Sequence, residues 1–139
     1  MTDILLIDDS ASDRMLIEQA FARTAAQLRL HCAEDGAAGL TRLGEQPGIR
    51  LVLLDLNMPG MNGLEFLEAL TPALRACTVV LALSSSQLPD DIRGAYRAGV
   101  NAYIAKPLDF DGYVRIAEAV YRFWLQAARL PPEASLEAS

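Results

Sequence analysis

Leu51-Val52-Leu53-Leu54-Asp55-Leu56-Asn57-Met58-Pro59-Gly60-Met61-Asn62-Gly63 is the stretch on which the fold turns. Four consecutive apolar residues, closed by an aspartate and a turn rich in Pro, Gly and Asn, read as a strand covered on both faces. Such a strand belongs in a parallel sheet with helices on either side. Four more apolar runs recur along the chain: Ile4–Ile7, Leu28–Cys32 (broken by Arg29 and His31), Val79–Leu83 and Ala102–Ala105. Segments of helical length separate them. Ser10-Ala11-Ser12-Asp13 reads as a capping box opening a helix with Leu16, Ile17, Ala20 and Phe21 at helical spacing. Helices are expected over Gly36–Glu45, Leu64–Leu70, Asp90–Ala98 and Gly112–Arg129, with Gly99 as a natural stop. Strand–helix alternation repeated five times predicts an α/β fold, a doubly wound (βα)5 parallel sheet with right-handed crossovers.

The 139 residues suit one domain. Residues 1–130 are expected to form it, with 131–139 as a short polar tail and no output domain. The chain is 52% hydrophobic and 22% charged, as in a soluble globular protein. Twelve Lys+Arg against 18 Asp+Glu give a net charge of −6, which argues against a nucleic-acid partner. The acidic excess fits a protein that meets cations or basic protein surfaces, or it serves solubility alone. Cys32 and Cys77 form no C-x-x-C pair and read as buried reduced thiols. His31, the single histidine, cannot build a zinc site of the usual His/Cys kind. No basic segment precedes the first apolar run, and no run approaches membrane-spanning length. A cytoplasmic protein with no membrane contact is expected.

In a doubly wound sheet, ligands bind beyond the carboxyl ends of the strands. Asp8 and Asp9 follow the first run, Asp55 the third, Ser84-Ser85-Ser86 the fourth and Lys106-Pro107 the fifth. Glu34-Asp35, after the second, is left to solvent. Any one aspartate could simply end a strand in a turn; all five groups at strand ends together point to a site. Clustered carboxylates raise one another's pKa unless a cation neutralises them. An all-oxygen cluster with few ligands suits Mg2+ completed by a phosphate oxygen. A lysine would pair with that phosphate and a serine hydroxyl would hydrogen-bond it. The reaction class is phosphoryl transfer to an aspartate nucleophile.

Asp8-Asp9, Asp55-x-x-Met58-Pro59-x-Met61-x-Gly63, Ser84 and Lys106-Pro107, each after its strand, resemble the receiver domain of bacterial response regulators over about residues 3–126. The resemblance implies a flavodoxin-like strand order, 2-1-3-4-5. It implies that Asp55 accepts a phosphoryl group from a sensor histidine kinase or a phosphotransfer protein. Asp9 would ligate Mg2+ directly with Asp55 and the backbone carbonyl of Asn57, and Asp8 would act through water. Lys106 would contact a phosphoryl oxygen, placed by a cis Lys106–Pro107 bond. Ser84 takes the place of the switch hydroxyl, where Thr is commoner, with Ser85 beside it. Tyr103 matches the aromatic residue that turns inward with that hydroxyl, or is simply a half-buried strand aromatic. Asn57, two beyond the nucleophile, and Ser86, two beyond Ser84, depart from the commonest pattern. A phosphatase of the haloacid-dehalogenase type carries a second Asp at the position of Asn57. With Asn there water is poorly activated, so the chain reads as a switch without turnover of outside substrates. The alternatives are such a Mg2+-dependent phosphatase, or an interaction protein that kept the fold.

At 100° per residue the last helix carries one narrow polar stripe, Arg115, Glu118, Arg122, Gln126 and Arg129. Its wide apolar remainder includes Val114, Tyr121, Phe123, Trp124 and Leu125, which we expect to form a homodimer interface. The other possibility is that this face packs against the tail. Phe123-Trp124-Leu125 and Leu130-Pro131 look like the single-domain regulators paired with bacterial phytochrome kinases, which join two subunits through a C-terminal extension. The alternative within the family is similar to the chemotaxis regulator, a monomer, or to a phosphorelay intermediate.

Overall fold

Successive side chains of a strand point to opposite faces, so a strand apolar at every position needs cover on both. The computed structural model, which describes residues 2–24 and 27–132, supplies that cover. The elements run β1 (Thr2–Ile7), α1 (Ala11–Thr24), β2 (Leu28–Ala33), α2 (Gly36–Glu45), β3 (Leu51–Asp55), α3 (Gly63–Ala69), α4 (Pro72–Cys77), β4 (Val79–Ser84), α5 (Pro89–Ala98), β5 (Ala102–Ala105) and α6 (Phe110–Val120). A π-helical segment, Tyr121–Ala127, continues α6. All strand pairs are parallel, in the order β2-β1-β3-β4-β5. Every residue of β3 and β4 is buried.

The period of two divides the core. Leu5, Ile7, Val52, Leu54, Val80 and Ala82 pack on one face with Leu43 of α2, Phe66 and Leu67 of α3 and Ala95 of α5. Ile4, Leu6, Leu51, Leu53, Leu81 and Leu83 pack on the other with Ile17 and Phe21 of α1 and Tyr113, Ala117 and Val120 of α6. Gly99 ends α5 at φ 110°, a left-handed conformation that glycine adopts without steric cost.

The structure departs from expectation in four places. Helix α4 is additional; Thr71 caps it by accepting the Leu74 N–H at 3.2 Å, and Pro72 stands in its first turn. Thr-Pro is a start signal that pattern reading passed over because the helix has only six residues. The last helix is not one regular α-helix over Gly112–Arg129. It changes at Tyr121 to i→i+5 bonding, seen where the Ala128 N–H donates to the Phe123 carbonyl at 2.6 Å. Asp35, left to solvent above, caps α2 by accepting the Ala38 N–H at 2.8 Å. Cys32 and Cys77 are free but only half-buried. Pro131 is tied back by Arg50, which donates to its carbonyl at 3.3 Å; the rest of the expected tail, 133–139, lies outside the described residues. No helix among the described residues is long and apolar enough to cross a membrane.

Candidate functional site

Register brings the site together. Ile7 pairs with Leu54, Asp55 with Leu83, and Ser84 with Ala105, so the residues ending neighbouring strands step across the sheet at one level. The ladder continues one residue further at three of these ends, the Leu56 N–H donating to the Leu83 carbonyl at 3.3 Å. The Asp8 N–H donates to the Ala33 carbonyl at 3.1 Å, and the Lys106 N–H to the Ser84 carbonyl at 2.9 Å. Parallel strands with right-handed crossovers put every such end on the same edge. Gly63 allows the turn after β3 to close there: a Cβ on it would lie 2.7 Å from the Leu56 Cα and 2.8 Å from the Asp55 carbonyl oxygen.

Three carboxylates surround the Lys106 ammonium. Nζ stands 3.1 Å from Asp8 Oδ2, 3.0 Å from Asp13 Oδ2 and 3.4 Å from Asp55 Oδ2. Asp8 and Asp55 are buried, Asp13 is partly exposed and Asp9 is exposed. Asp8 Oδ1 accepts the Ser10 N–H at 2.9 Å, and Arg14 donates to the Asp8 carbonyl at 2.6 Å. The Asn57 N–H donates to Asp55 Oδ1 at 3.0 Å. Burial pushes the Asp55 carboxyl up to about 6 and the Asp8 charge adds to the rise, against the Asn57 hydrogen bond and Lys106. Burial acts to lower the Lys106 pKa, but the Asp13 hydrogen bond and the Asp8 and Asp55 charges outweigh it and hold it above the usual lysine value.

Asp8, Asp9 and Asp55 bring carboxylate oxygens within 4.8 Å of one another. The buried Asp8 Oδ2 has the Lys106 ammonium, at 3.1 Å, as its charged neighbour and forms no well-aligned hydrogen bond. One ammonium shared among Asp8, Asp13 and Asp55, with Asp9 beside them, leaves an excess of negative charge that a bound cation would neutralise. The oxygen-only donor set therefore fits a hard divalent cation.

On the other side of Asp55, Ser84 is buried, and its Oγ accepts from the Asn57 side-chain amide at 3.3 Å and from the Ser86 N–H at 3.1 Å. Tyr103 turns inward and donates to the Ser86 carbonyl at 2.7 Å. Asn57, Ser84, Ser86 and Tyr103 line one hollow of about 230 Å³ beside the carboxylates. A site of this shape offers a buried aspartate as nucleophile, an ammonium to meet the incoming charge and a hydroxyl to report it.

Asp8, Asp9, Asp55, Asn57, Ser84, Tyr103 and Lys106 thus converge as the sequence predicts. Ser85 does not join them; its side chain is exposed at the strand end. The expected cis Lys106–Pro107 bond is a correction: the peptide is trans. Trans is favoured by about 0.5–1 kcal/mol before proline, and the lysine already reaches all three carboxylates from it. Asp13 is the residue sequence reasoning missed. Its place in the first turn of α1 reads as half of a capping box, and only its backbone plays that part, with its N–H donating to Ser10 Oγ at 3.2 Å. The carboxylate instead goes to Lys106, 93 positions away in sequence. Of the expected interface residues, Val114, Trp124 and Leu125 pack half-buried against the chain's own core, Tyr121 is half-buried, and Phe123 is exposed.

Known proteins are similar to this chain in sequence and fold. The probable methanogenesis regulatory protein FilR2 of Methanothrix harundinacea is 40% identical over 135 residues, covering 92% of this chain and 86% of that protein. Response regulator Rcp1 of Synechocystis is 31% identical over 136 residues, 92% of each chain. The crystal structure of its Mn2+-bound form superposes with a TM-score of 0.82 at 30% identity, over 95% of this chain and all of that one. The phosphorylated cyanobacterial phytochrome response regulator RcpA superposes at 0.84 with 32% identity, over 94% and 99% of the two chains. The response regulator receiver domain family itself matches residues 4–118. The strand order, the acidic edge and these likenesses converge on one assignment: the chain belongs to the response regulator receiver domain family.

Proposed function

We propose that this chain is the phospho-accepting switch of a two-component system, with Asp55 as the acceptor. The observation that carries the reading is the placement of Asp55. It is buried at the end of β3, beside two further carboxylates and within 3.4 Å of the one ammonium that can neutralise an arriving phosphoryl group. A carboxylate oxygen of Asp55 forms a bond to phosphorus as the bond to the donor nitrogen or oxygen breaks, and the donor leaves with that electron pair. Asp9, Asp55 and the Asn57 carbonyl would hold Mg2+, with Asp8 acting through water, and the ion would supply charge neutralisation. Lys106 takes a phosphoryl oxygen, and Ser84, flanked by Ser85, meets another. Tyr103 follows the hydroxyl.

The donor is a sensor histidine kinase. The likeness to a phytochrome response regulator over nearly the whole of both chains supports a phytochrome-type kinase. Turnover of outside substrates is not expected, because Asn57 stands where an aspartyl-phosphate phosphatase needs a carboxylate, and an amide cannot take a proton from water. Residues 1–130 form the receiver unit, which works in the cytoplasm and pairs with a second copy through the segment that follows Gly112.

The test is to mix the protein with Mg2+ and acetyl phosphate. One phosphoryl group per chain, absent from Asp55→Asn, is expected. Continuous phosphate release over many turnovers would instead make it a phosphatase, and no uptake under any donor would leave an interaction protein with a receiver's shape.

A further inference from the structure

Lys106 is the only lysine in the sequence. Its ammonium has three donors and no acceptor, and three carboxylates claim them. The three are not equivalent. The Asp13 contact is the well-aligned hydrogen bond, whereas Asp8 and Asp55 hold the ammonium as close ion pairs. The carboxylate nearest to Lys106 is therefore one that takes no part in the acidic cluster at the strand ends. It comes from the first turn of α1, where Ser10 anchors the Asp13 backbone independently of the side chain.

Exposure separates them further. The Asp8 and Asp55 side chains are 0% and 5% exposed, whereas Asp13 is 28% exposed. A buried carboxylate that loses its cation is left unpaired at high cost, but water takes over at a partly exposed one. Of the three contacts, the one to Asp13 is the one that yields when the ammonium turns to a new anion.

We propose that Asp13 is a positioning residue for Lys106: its carboxylate holds the ammonium on the α1 side of the site and competes for it with the phosphoryl group arriving at Asp55. The inference rests on Asp55 being the acceptor. Asp13 then sets how readily the site takes up phosphate, by holding back the donor that must meet the incoming charge. The effect belongs to the pair: a carboxylate that merely added negative charge would act equally on a site without Lys106.

Two measurements test it. With 15N-lysine the unphosphorylated protein gives a single side-chain ammonium signal. Asp13→Asn should shift and broaden that signal as water replaces the carboxylate, and Asp13→Glu should restore it. Acetyl phosphate with Mg2+ should label Asp13→Asn about five-fold faster than wild type, the worth of one partly screened ion pair. That difference should vanish when both proteins carry Lys106→Gln. An unchanged ammonium signal in Asp13→Asn overturns the proposal. So does a rate gain that persists in the Lys106→Gln background, which would mark Asp13 as bulk charge. If wild type takes no label at Asp55, the acceptor assignment fails, while the ammonium signal still decides whether Asp13 holds the lysine.

Discussion

Asp55 carries a thermodynamic cost that its function explains. Its carboxyl is pushed up from 3.8 to about 6, chiefly by burial. Between those values the folded protein holds a proton that the unfolded chain releases, so stability falls as pH rises through that window and stays low above it. Asp55→Asn, neutral at every pH, escapes this. In chelator at pH 7.5 the variant should be more stable than wild type by on the order of 1–2 kcal/mol, and the gap should narrow at pH 5. Thermal melts of both proteins at the two pH values check this. Wild type melting higher at pH 7.5 would contradict the burial argument. Neighbouring Asp9 is exposed. Titrating a divalent cation at pH 7.5 should stabilise wild type by about 1.4 kcal/mol at ten times Kd. Asp9→Asn should lose most of that gain with little change in the metal-free melting temperature. An Asp9→Asn protein stabilised as well as wild type would remove Asp9 from the ligand set. Of these residues, the aspartates and Lys106 were legible because they stand directly after apolar runs. Asp13 was not, because nothing local distinguishes a helix-capping carboxylate from one that reaches a lysine on another strand.

At the scale of elements, the sheet was the most legible part and the end of the chain the least. Strands β3 and β4 announce themselves because burial on both faces demands unbroken apolar runs. The last helix misleads because a wheel at 100° per residue assumes i→i+4 bonding, and Tyr121–Ala127 is π-helical. The change of register divides the expected apolar face. Trp124 and Leu125 turn onto the chain's own core, whereas Phe123 stays 55% exposed and meets the Trp124 ring edge-on at 5.0 Å. Beside them Ile104, Ile116, Ala119 and Val120 complete an apolar hollow of about 230 Å³. If a second copy docks here, Phe123→Ala should weaken association by about 2 kcal/mol and leave the melting temperature of the monomer unchanged. Trp124→Ala should weaken association and lower that temperature as well, since it also removes packing. Scattering mass over a concentration series reads the association, and a monomer at tens of micromolar for wild type would exclude this interface.

Across the whole molecule, two packed layers of helix flank one sheet, and the site is a property of the edge where the strands stop. The sequence by itself determined the five strands, their parallel sense and which edge carries chemistry. Those follow from hydrophobic period and from the handedness of crossovers, which are local or topological rules. It also determined the class of chemistry, because three aspartates, a hydroxyl and a lysine at strand ends have few uses together. Only the tertiary structure decided how the lysine is shared. Ion pairing depends on ångström distances between residues far apart in sequence, and the register of β1, β3, β4 and β5 sets those distances. It likewise decided that Lys106 reaches its partners from a trans peptide, that Ser85 faces out, and that most of the last helix's apolar excess is used within the chain. A residue's type states what it can bind; packing alone states which of several willing partners is within reach.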